Sequence, residues 1–278
     1  MKKIYGIVGH PVQHSLSPVL HRAAFKAAGI EAEYRIFDFP PEQTDALANF
    51  CYEVDLNGVS GFSVTIPFKQ EIMAYLDEVD PLAKTIGAVN TVMIEPHPEY
   101  QAPVLIGYNT DATGALKALN EKIKIPGKRA LVLGAGGAAR AMVYMLKEAG
   151  ADVHIFNRSL DKAQALADTF DVNTIEYRLI KKESNFDLII NATTVGSAPG
   201  IAESLLHFDQ IKNGSVVMDL VTSPLKTQLL KEAEKAGAQT LSGERMLLHQ
   251  AADQFVIWFG KPAPLEAMEK ALQAELAK

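Results

Sequence analysis

Ala130-Leu131-Val132-Leu133 runs directly into Gly134-x-Gly136-x-x-Ala139, and no other stretch of the chain constrains the fold as much. Four apolar residues with no polar alternate read as a strand buried on both faces. Gly134 allows a tight turn, Gly136 a close approach of the main chain to a ligand, and Ala139 a close contact between helix and sheet. The segment therefore predicts a strand, a turn and a helix at the head of a βαβ unit. Glycine serves strand-to-helix turns for backbone reasons alone, but here the free N–H groups of Gly134, Ala135, Gly136, Gly137 and Ala138 and the positive helix end suit a pyrophosphate.

The rest of the chain keeps that rhythm. Ile4–Val8, Tyr34–Phe39, Phe62–Val64, Val89–Ile94 and Val104–Tyr108 are short β-branched or aromatic runs of strand type. Helical spacing occupies 18–28, 42–54 and 68–77, the first of these opened by Pro18 and stopped by Gly29. Beyond residue 128 the strands are Ala130–Leu133, Val153–Phe156, Leu188–Asn191 and Val216–Leu220, with a helix from the Gly134 turn to Gly150, one over 160–169 and one starting at Pro224. Residues 246–259 are apolar around most of a helical cylinder and predict a buried helix. Pro96, Pro98 and Pro103 fit a hairpin-like loop, and composition puts a domain junction at 123–128. Alternation of this kind predicts an α/β fold with mainly parallel sheets.

Composition narrows the function. At 278 residues, two domains of ordinary size are expected. A net charge of −6 argues against a mainly electrostatic grip on nucleic acid or anionic lipid. Cys51 is the single cysteine, which excludes an intramolecular disulfide and a cysteine-based zinc cluster. No apolar run approaches the ~18 residues of a membrane helix, and the opening lacks a signal-peptide core. The expectation is a reduced, cytoplasmic protein with a small-molecule ligand, no membrane or nucleic-acid partner and no metal.

The end of the second strand of the βαβ unit distinguishes dinucleotides. NAD sites usually carry Asp or Glu there for the ribose 2′-hydroxyl. This chain has Asn157-Arg158-Ser159 instead. Arg158 offers a planar fork to a 2′-phosphate and Lys162 adds charge, so NADP is favoured; Ser159 as a plain helix cap is the simpler alternative.

Polar groups gather in the first half. In His14-Ser15-Leu16-Ser17-Pro18, Ser17 reads as an N-cap and Pro18 as the first helical residue, with Ser15 a second hydroxyl suited to a small carboxylate. A hydrolase pair of His14 and Ser15 lacks a Gly-x-Ser-x-Gly turn, and His10, His14 and His21 lack a common metal spacing. In Val64-Thr65-Ile66-Pro67-Phe68-Lys69, Pro67 reads as a helix start. Lys69 would then oppose the dipole in the first turn, which marks it for function and would lower its pKa. Asn90 and Asp111 stand at or just after strand ends, and Asp111 suits either a helix cap or a partner for Lys69.

Taken in order, these segments resemble the shikimate dehydrogenase family, nearly end to end. The resemblance rests on Gly9-x-Pro11-x-x-His14-Ser15-x-Ser17-Pro18, Val64-Thr65-x-Pro67-x-Lys69, Asn90-Thr91, Asn109-Thr110-Asp111, the Gly134 loop, Asn157-Arg158, Asn191-Ala192-Thr193 and Gln250-Ala251-Ala252. It implies an NADP-dependent oxidoreductase that reduces 3-dehydroshikimate to shikimate on the way to chorismate and the aromatic amino acids, as a monomer or homodimer. It also implies a substrate domain over 1–112, joined by helices about 246–278, and a Rossmann-like NADP domain over 113–245. By position, Ser15 and Ser17 would hold the substrate carboxylate, and Thr65, Asn90 and Gln250 the ring hydroxyls, beside the catalytic pair Lys69 and Asp111. The Gly134 loop, Asn157, Arg158, Ser159, Thr193 and Gly243 would hold NADP.

The chain departs from the family pattern in four places. Arg22 follows His21 where Asn is usual, Ser63 stands for Asn, Ser197 for Met, and Thr222 for a substrate-contacting Tyr. Thr222 keeps open a paralogue acting on quinate or a related cyclic polyol acid. A non-catalytic NADP sensor is the other alternative, though it would need neither Lys69 nor Asp111.

Overall fold

The alternation is realised as two six-stranded sheets in a computed structural model that describes residues 3–278 apart from 41, 44, 55, 97–101, 183 and 184. The chain divides into two units, the first comprising Met1–Thr110 with Gln250–Lys278 and the second Asp111–His249. The division falls at 110/111, so the stretch at 123–128 lies inside the second unit and is not a junction.

The first unit contains β1 (Lys3–Gly9), α1 (Ser17–Ala27), β2 (Ala32–Asp38), α2 (Ala46–Tyr52), β3 (Val59–Val64), β4 (Glu78–Val79), α3 (Pro81–Ile86), β5 (Thr91–Glu95) and β6 (Val104–Tyr108). Its sheet runs β2-β1-β3-β5-β6-β4. The β1, β2 and β3 neighbours are parallel, whereas β5 is antiparallel to both β3 and β6. β5 and β6 make the hairpin expected around Pro96 and Pro103; Pro98 lies outside the described residues.

The second unit contains α4 (Asp111–Asn120), β7 (Arg129–Leu133), α5 (Gly137–Glu148), β8 (Asp152–Phe156), α6 (Leu160–Phe170), β9 (Asn173–Thr174), α7 (Tyr177–Lys182), β10 (Leu188–Asn191), β11 (Val216–Asp219), α8 (Gln228–Lys235) and β12 (Gln239–Ser242). Its sheet, β12-β11-β10-β7-β8-β9, is parallel throughout. α9 (Gly243–Phe259) begins in this unit and ends in the first, and α10 (Leu265–Leu276) belongs to the first. Glu121 secures the start of α9, accepting from Arg245 at 2.7 and 3.2 Å and pairing with His249 at 3.0 Å.

Strand alternation sorts the first unit's core into two layers. Val8, Phe62 and Val64 face a cluster with Leu47, Phe50 and Val89. The opposite face carries Tyr5, Tyr34, Gly61 and Ser63, toward an aromatic layer of His21, Phe25, Trp258 and Phe259 from α1 and α9. Gly61 is glycine because Trp258 lies where a side chain would go, its ring N–H donating to Val92 O at 3.0 Å.

Two expected helices do not form as read. Residues 68–77 make a run of turns and a short 3₁₀ segment, Glu71–Tyr75, because the Lys69 carbonyl accepts from Val89 N–H at 2.7 Å and not from the next turn of a helix. Lys69 therefore occupies no helix first turn, and the dipole argument made for it falls away. Pro224 does not start a helix either. α8 begins at Gln228, where the Thr227 hydroxyl accepts from Leu230 N–H at 3.3 Å and donates to Asp219 at 2.6 Å.

Gly61→Ala tests the aromatic layer. Its methyl would stand 2.7 Å from Trp258 Nε1 and 3.0 Å from Val92 O. Overpacking of this kind destabilises by about 1–3 kcal/mol, so the melting temperature should fall by several degrees; an unchanged value would show that α9 can move aside freely.

Candidate active site

In the first unit, the reversal of β5 places its N-terminal end where β3 and β6 finish, since Thr91 pairs with both Ser63 and Tyr108. Thr65, Asn90 and Thr110 therefore share one sheet edge. Asn90 organises it. Its backbone N–H donates to Tyr108 O at 3.0 Å and its carbonyl accepts from Val64 N–H at 2.8 Å. Its side-chain oxygen accepts from Thr110 N–H and the Thr91 hydroxyl, each at 2.8 Å. Its amide donates to Thr110 Oγ1 at 2.9 Å and to Gln250 Oε1 at 3.3 Å. Asn90 and Gln250, two of the residues expected to bind ring hydroxyls, are thus in direct contact, and Thr110, to which the sequence reading gave no role, bonds to both.

Thr65 and Lys69 reach the same edge through backbone bonds, Thr65 N–H to Val8 O at 2.9 Å and Lys69 O from Val89 N–H at 2.7 Å. Ser15 lies in the loop after β1, and its hydroxyl accepts from Ser17 N–H at 3.2 Å. Ser17 is the first residue of α1 and not its N-cap, a position held by Leu16 without a side-chain cap. Asp111 is a buried residue at the start of α4 and belongs to the second unit.

The three histidines weighed as a metal site have separate surroundings. His10 pairs with Asp38 at 2.9 Å. His14 is exposed. His21 is fully buried, stacked on Tyr34 at 4.6 Å between centroids, with Nε2 bonded to Gln254 Oε1 at 3.0 Å. Among the described residues no group of three or more His, Cys, Asp or Glu is arranged to hold a metal ion.

In the second unit, the fingerprint glycines sit where β7 passes into α5. Gly134 has φ +119°, and a side chain there would stand 3.0 Å from Thr193 and 3.1 Å from Ala192 O. Gly136 is the N-cap of α5 with no side-chain cap, and a Cβ on it would meet nothing within 4 Å. Bare helix N–H groups below open space fit the pyrophosphate of a dinucleotide. At the end of β8, Asn157 donates to Ser159 O at 3.0 Å, and Ser159 is the N-cap of α6 without using its side chain. Arg158 is exposed beside them. Gly243 has a packing reason to be glycine, because Leu220 O would lie 2.7 Å from its Cβ.

Asp219, which the sequence did not single out, joins the ends of β10 and β11. It accepts from Asn191 Nδ2 at 2.9 Å, Val221 N–H at 3.0 Å and the Thr227 hydroxyl at 2.6 Å. Asn191 in turn accepts from Thr193 N–H at 3.1 Å and its hydroxyl at 2.7 Å. Burial pushes the Asp219 carboxyl above its ordinary range, opposed by those three donors.

This architecture is that of the two-unit α/β proteins with a Rossmann-type nucleotide fold. Residues 7–92 match the shikimate dehydrogenase substrate binding domain, 115–220 the shikimate / quinate 5-dehydrogenase family and 243–273 the shikimate 5′-dehydrogenase C-terminal domain. The NADP(+) shikimate dehydrogenase of Methanocaldococcus jannaschii is 42% identical over 294 residues, covering 99% of this chain and 98% of that protein. A shikimate dehydrogenase crystallised with NADP+ superimposes with a TM-score of 0.90 at 40% identity, covering 100% of this chain and 96% of that one. The Thermus thermophilus enzyme, crystallised with NADP(H) and shikimate, gives 0.86 at 38% identity, covering 98% of each chain. The chain belongs to the shikimate dehydrogenase family.

Burial holds His21 down to about 4, against 6.5 for a free imidazole, with the Gln254 hydrogen bond opposing. The unfolded state then binds a proton that the folded state refuses, so stability drops as pH falls from about 6.5 toward about 4, by up to roughly 3 kcal/mol. Urea titrations across that window should show a shallower pH slope for His21→Gln than for the parent; equal slopes would mean His21 protonates in place.

Proposed function

We propose that the protein is an NADP-dependent oxidoreductase that interconverts 3-dehydroshikimate and shikimate, with its first unit as the substrate domain and its second as the cofactor domain. The observation that carries this is the joint placement of Thr65, Lys69, Asn90 and Gln250 at one sheet edge, with Asn90 bonded to Gln250, in a chain of this family. Amides and hydroxyls fixed by buried partners suit a ligand dense in hydroxyl groups, because they enter binding already oriented. Ser15 and Ser17, at the start of α1, serve the carboxylate.

NADPH supplies the hydride when bound. The N-terminus of α5 and the Gly134 turn hold its pyrophosphate, Thr193 and Gly243 line its site, and Arg158 with Asn157 and Ser159 takes its 2′-phosphate. Lys69 donates a hydrogen bond to the ketone oxygen, offsets the negative charge that develops there and delivers the proton that makes it a hydroxyl. Asp111 steadies the ammonium. In the oxidative direction the same lysine receives that proton.

A second reading, oxidation of quinate or a related polyol acid, is favoured by Thr222 and by the family that residues 115–220 match, which is described for both shikimate and quinate. Initial rates with shikimate and quinate under saturating NADP+ separate the two.

Lys69→Ala should lower kcat by more than about 10², the lower range for positioned acid–base help; wild-type turnover in a folded variant would remove Lys69 from the chemistry. Arg158→Ala should raise KM for NADP+ by about tenfold, in line with a lost charge-assisted hydrogen bond, and leave KM for NAD+ nearly unmoved. Equal effects on both cofactors would assign Arg158 elsewhere.

A further inference from the structure

At the carboxyl ends of β7, β10 and β11, neighbours in the second sheet, three loops leave the ladder side by side. The loop after β10 is knotted on itself. Thr193 donates its N–H and its hydroxyl to Asn191 Oδ1, at 3.1 and 2.7 Å, and its Oγ1 accepts from Val195 N–H at 3.1 Å. Asn191 Nδ2 closes the ring on Val195 O at 3.1 Å. The Thr193 hydroxyl has therefore used its one proton inside the loop and has none for a cofactor. What the loop turns toward the fingerprint is bulk, since Thr193 Cγ2 and Ala192 O stand 3.0 and 3.1 Å from where a Cβ on Gly134 would be.

A carboxylate on the next strand tethers the knot. Asp219 Oδ1 accepts from Asn191 Nδ2 at 2.9 Å and from Val221 N–H at 3.0 Å, while Oδ2 accepts from the Thr227 hydroxyl at 2.6 Å. Asp219 and Thr227 are fully buried and Asn191 is 1% exposed, so these bonds are shielded from competing water. An ionised carboxylate only accepts, which admits one orientation of the Asn191 amide, nitrogen toward β11 and oxygen toward Thr193. On the other side of β7, Gly134 N–H donates to Phe156 O, the last residue of β8, at 2.7 Å. The Gly134 turn is thus gripped from both neighbouring strands, and the grip on the β10 side runs back to Asp219.

We propose that Asp219 is a positioning residue for the dinucleotide: acting through Asn191, it holds the 192–193 segment against the Gly134 turn and so sets the backbone that meets the pyrophosphate. The inference rests on the reading that the Gly134 turn and the N-terminus of α5 hold that group. Gly134, at φ +119°, has no side chain with which to anchor itself, so its placement depends on what packs against it. A turn already held in its binding geometry loses less conformational freedom when the ligand arrives. By the same account Thr193 serves the cofactor through its methyl group and backbone, and its hydroxyl serves the loop.

Calorimetric titration of the full-length enzyme with NADP+, well below its melting temperature, tests this. Asp219→Ala should raise Kd for NADP+ by about tenfold, the worth of one charge-assisted hydrogen bond, and leave KM for shikimate within about twofold. Asp219→Asn should stay within about threefold of the parent Kd, because Val221 N–H keeps an amide oxygen facing Asn191 and the Thr227 hydroxyl turns to accept from the new NH2. Thr227→Ala removes the partner of Oδ2 and the cap of α8, so it should lower the melting temperature and leave Kd unmoved. If Asp219→Ala does not melt cooperatively, Asp219→Ser, one bond too short for Asn191, takes its place. Gly136→Asp puts a carboxylate into the open space at the N-cap of α5, where Asp suits the helix but repels a phosphate, and should weaken NADP+ by more than about tenfold. A parental Kd in Gly136→Asp overturns the site reading, and the proposal with it. With Gly136→Asp weakened, a parental Kd in the Asp219→Ala or Asp219→Ser variant overturns the positioning role alone. So does a rise in Asp219→Asn or Thr227→Ala equal to that in Asp219→Ala, the result that general loosening of the unit predicts.

Discussion

The first unit depends on how one buried amide, Asn90, is satisfied. Six hydrogen-bonding partners, Tyr108, Val64, Gln254, Thr91, Thr110 and Gln250, converge on its backbone and side chain. They come from β3, β5, β6, the segment after β6, and α9. An unpaired buried polar group is expensive, so each bond that ends on Asn90 also fixes where the contributing element must lie. The proposed substrate edge reaches this residue through its side chain, and the buried Gln254 reaches it through its carbonyl.

The second unit solves a similar problem at the carboxyl ends of its parallel strands, where backbone groups emerge from the ladder without partners. There Asp219 collects an amide, a main-chain N–H and a hydroxyl, and Asn191 passes the order on to Thr193. The carboxylate is matched by oriented dipoles and has no basic group among these contacts. Such an arrangement holds loops in register without a counter-ion. Both units thus place polar side chains at strand ends, where an α/β sheet presents ligands, and secure them from within.

Several local expectations failed for a common reason. Pro67-Phe68-Lys69 has the look of a helix start, but the Lys69 carbonyl accepts from Val89 N–H, and Met73 N–H turns to the Gln70 carbonyl. Ser17-Pro18 has the look of a cap followed by a first turn, but the Val19 and Leu20 N–H groups that Ser17 would cap donate to the Leu16 carbonyl. Pro224 suits a helix N-terminus, yet Thr227 is the residue able to cap α8 and bind Asp219 together. In each case a partner outside the local pattern outcompeted a propensity worth less than one hydrogen bond.

The amino-acid sequence by itself determined the α/β class, the βαβ turn at Gly134, the strands from β1 to β11 that carry strong apolar runs, and the segments in which site residues occur. These depend on periodicity and backbone freedom, which act over a few residues. Tertiary structure alone decided which side chains meet. Asn90 and Gln250 are 160 residues apart, Ser63 and Gln254 191, and Asn191 and Asp219 28. Such pairings depend on strand register, where a slip of one residue would turn Ser63 from the aromatic layer to the opposite face. They depend also on the return of α9, whose direction no local propensity encodes.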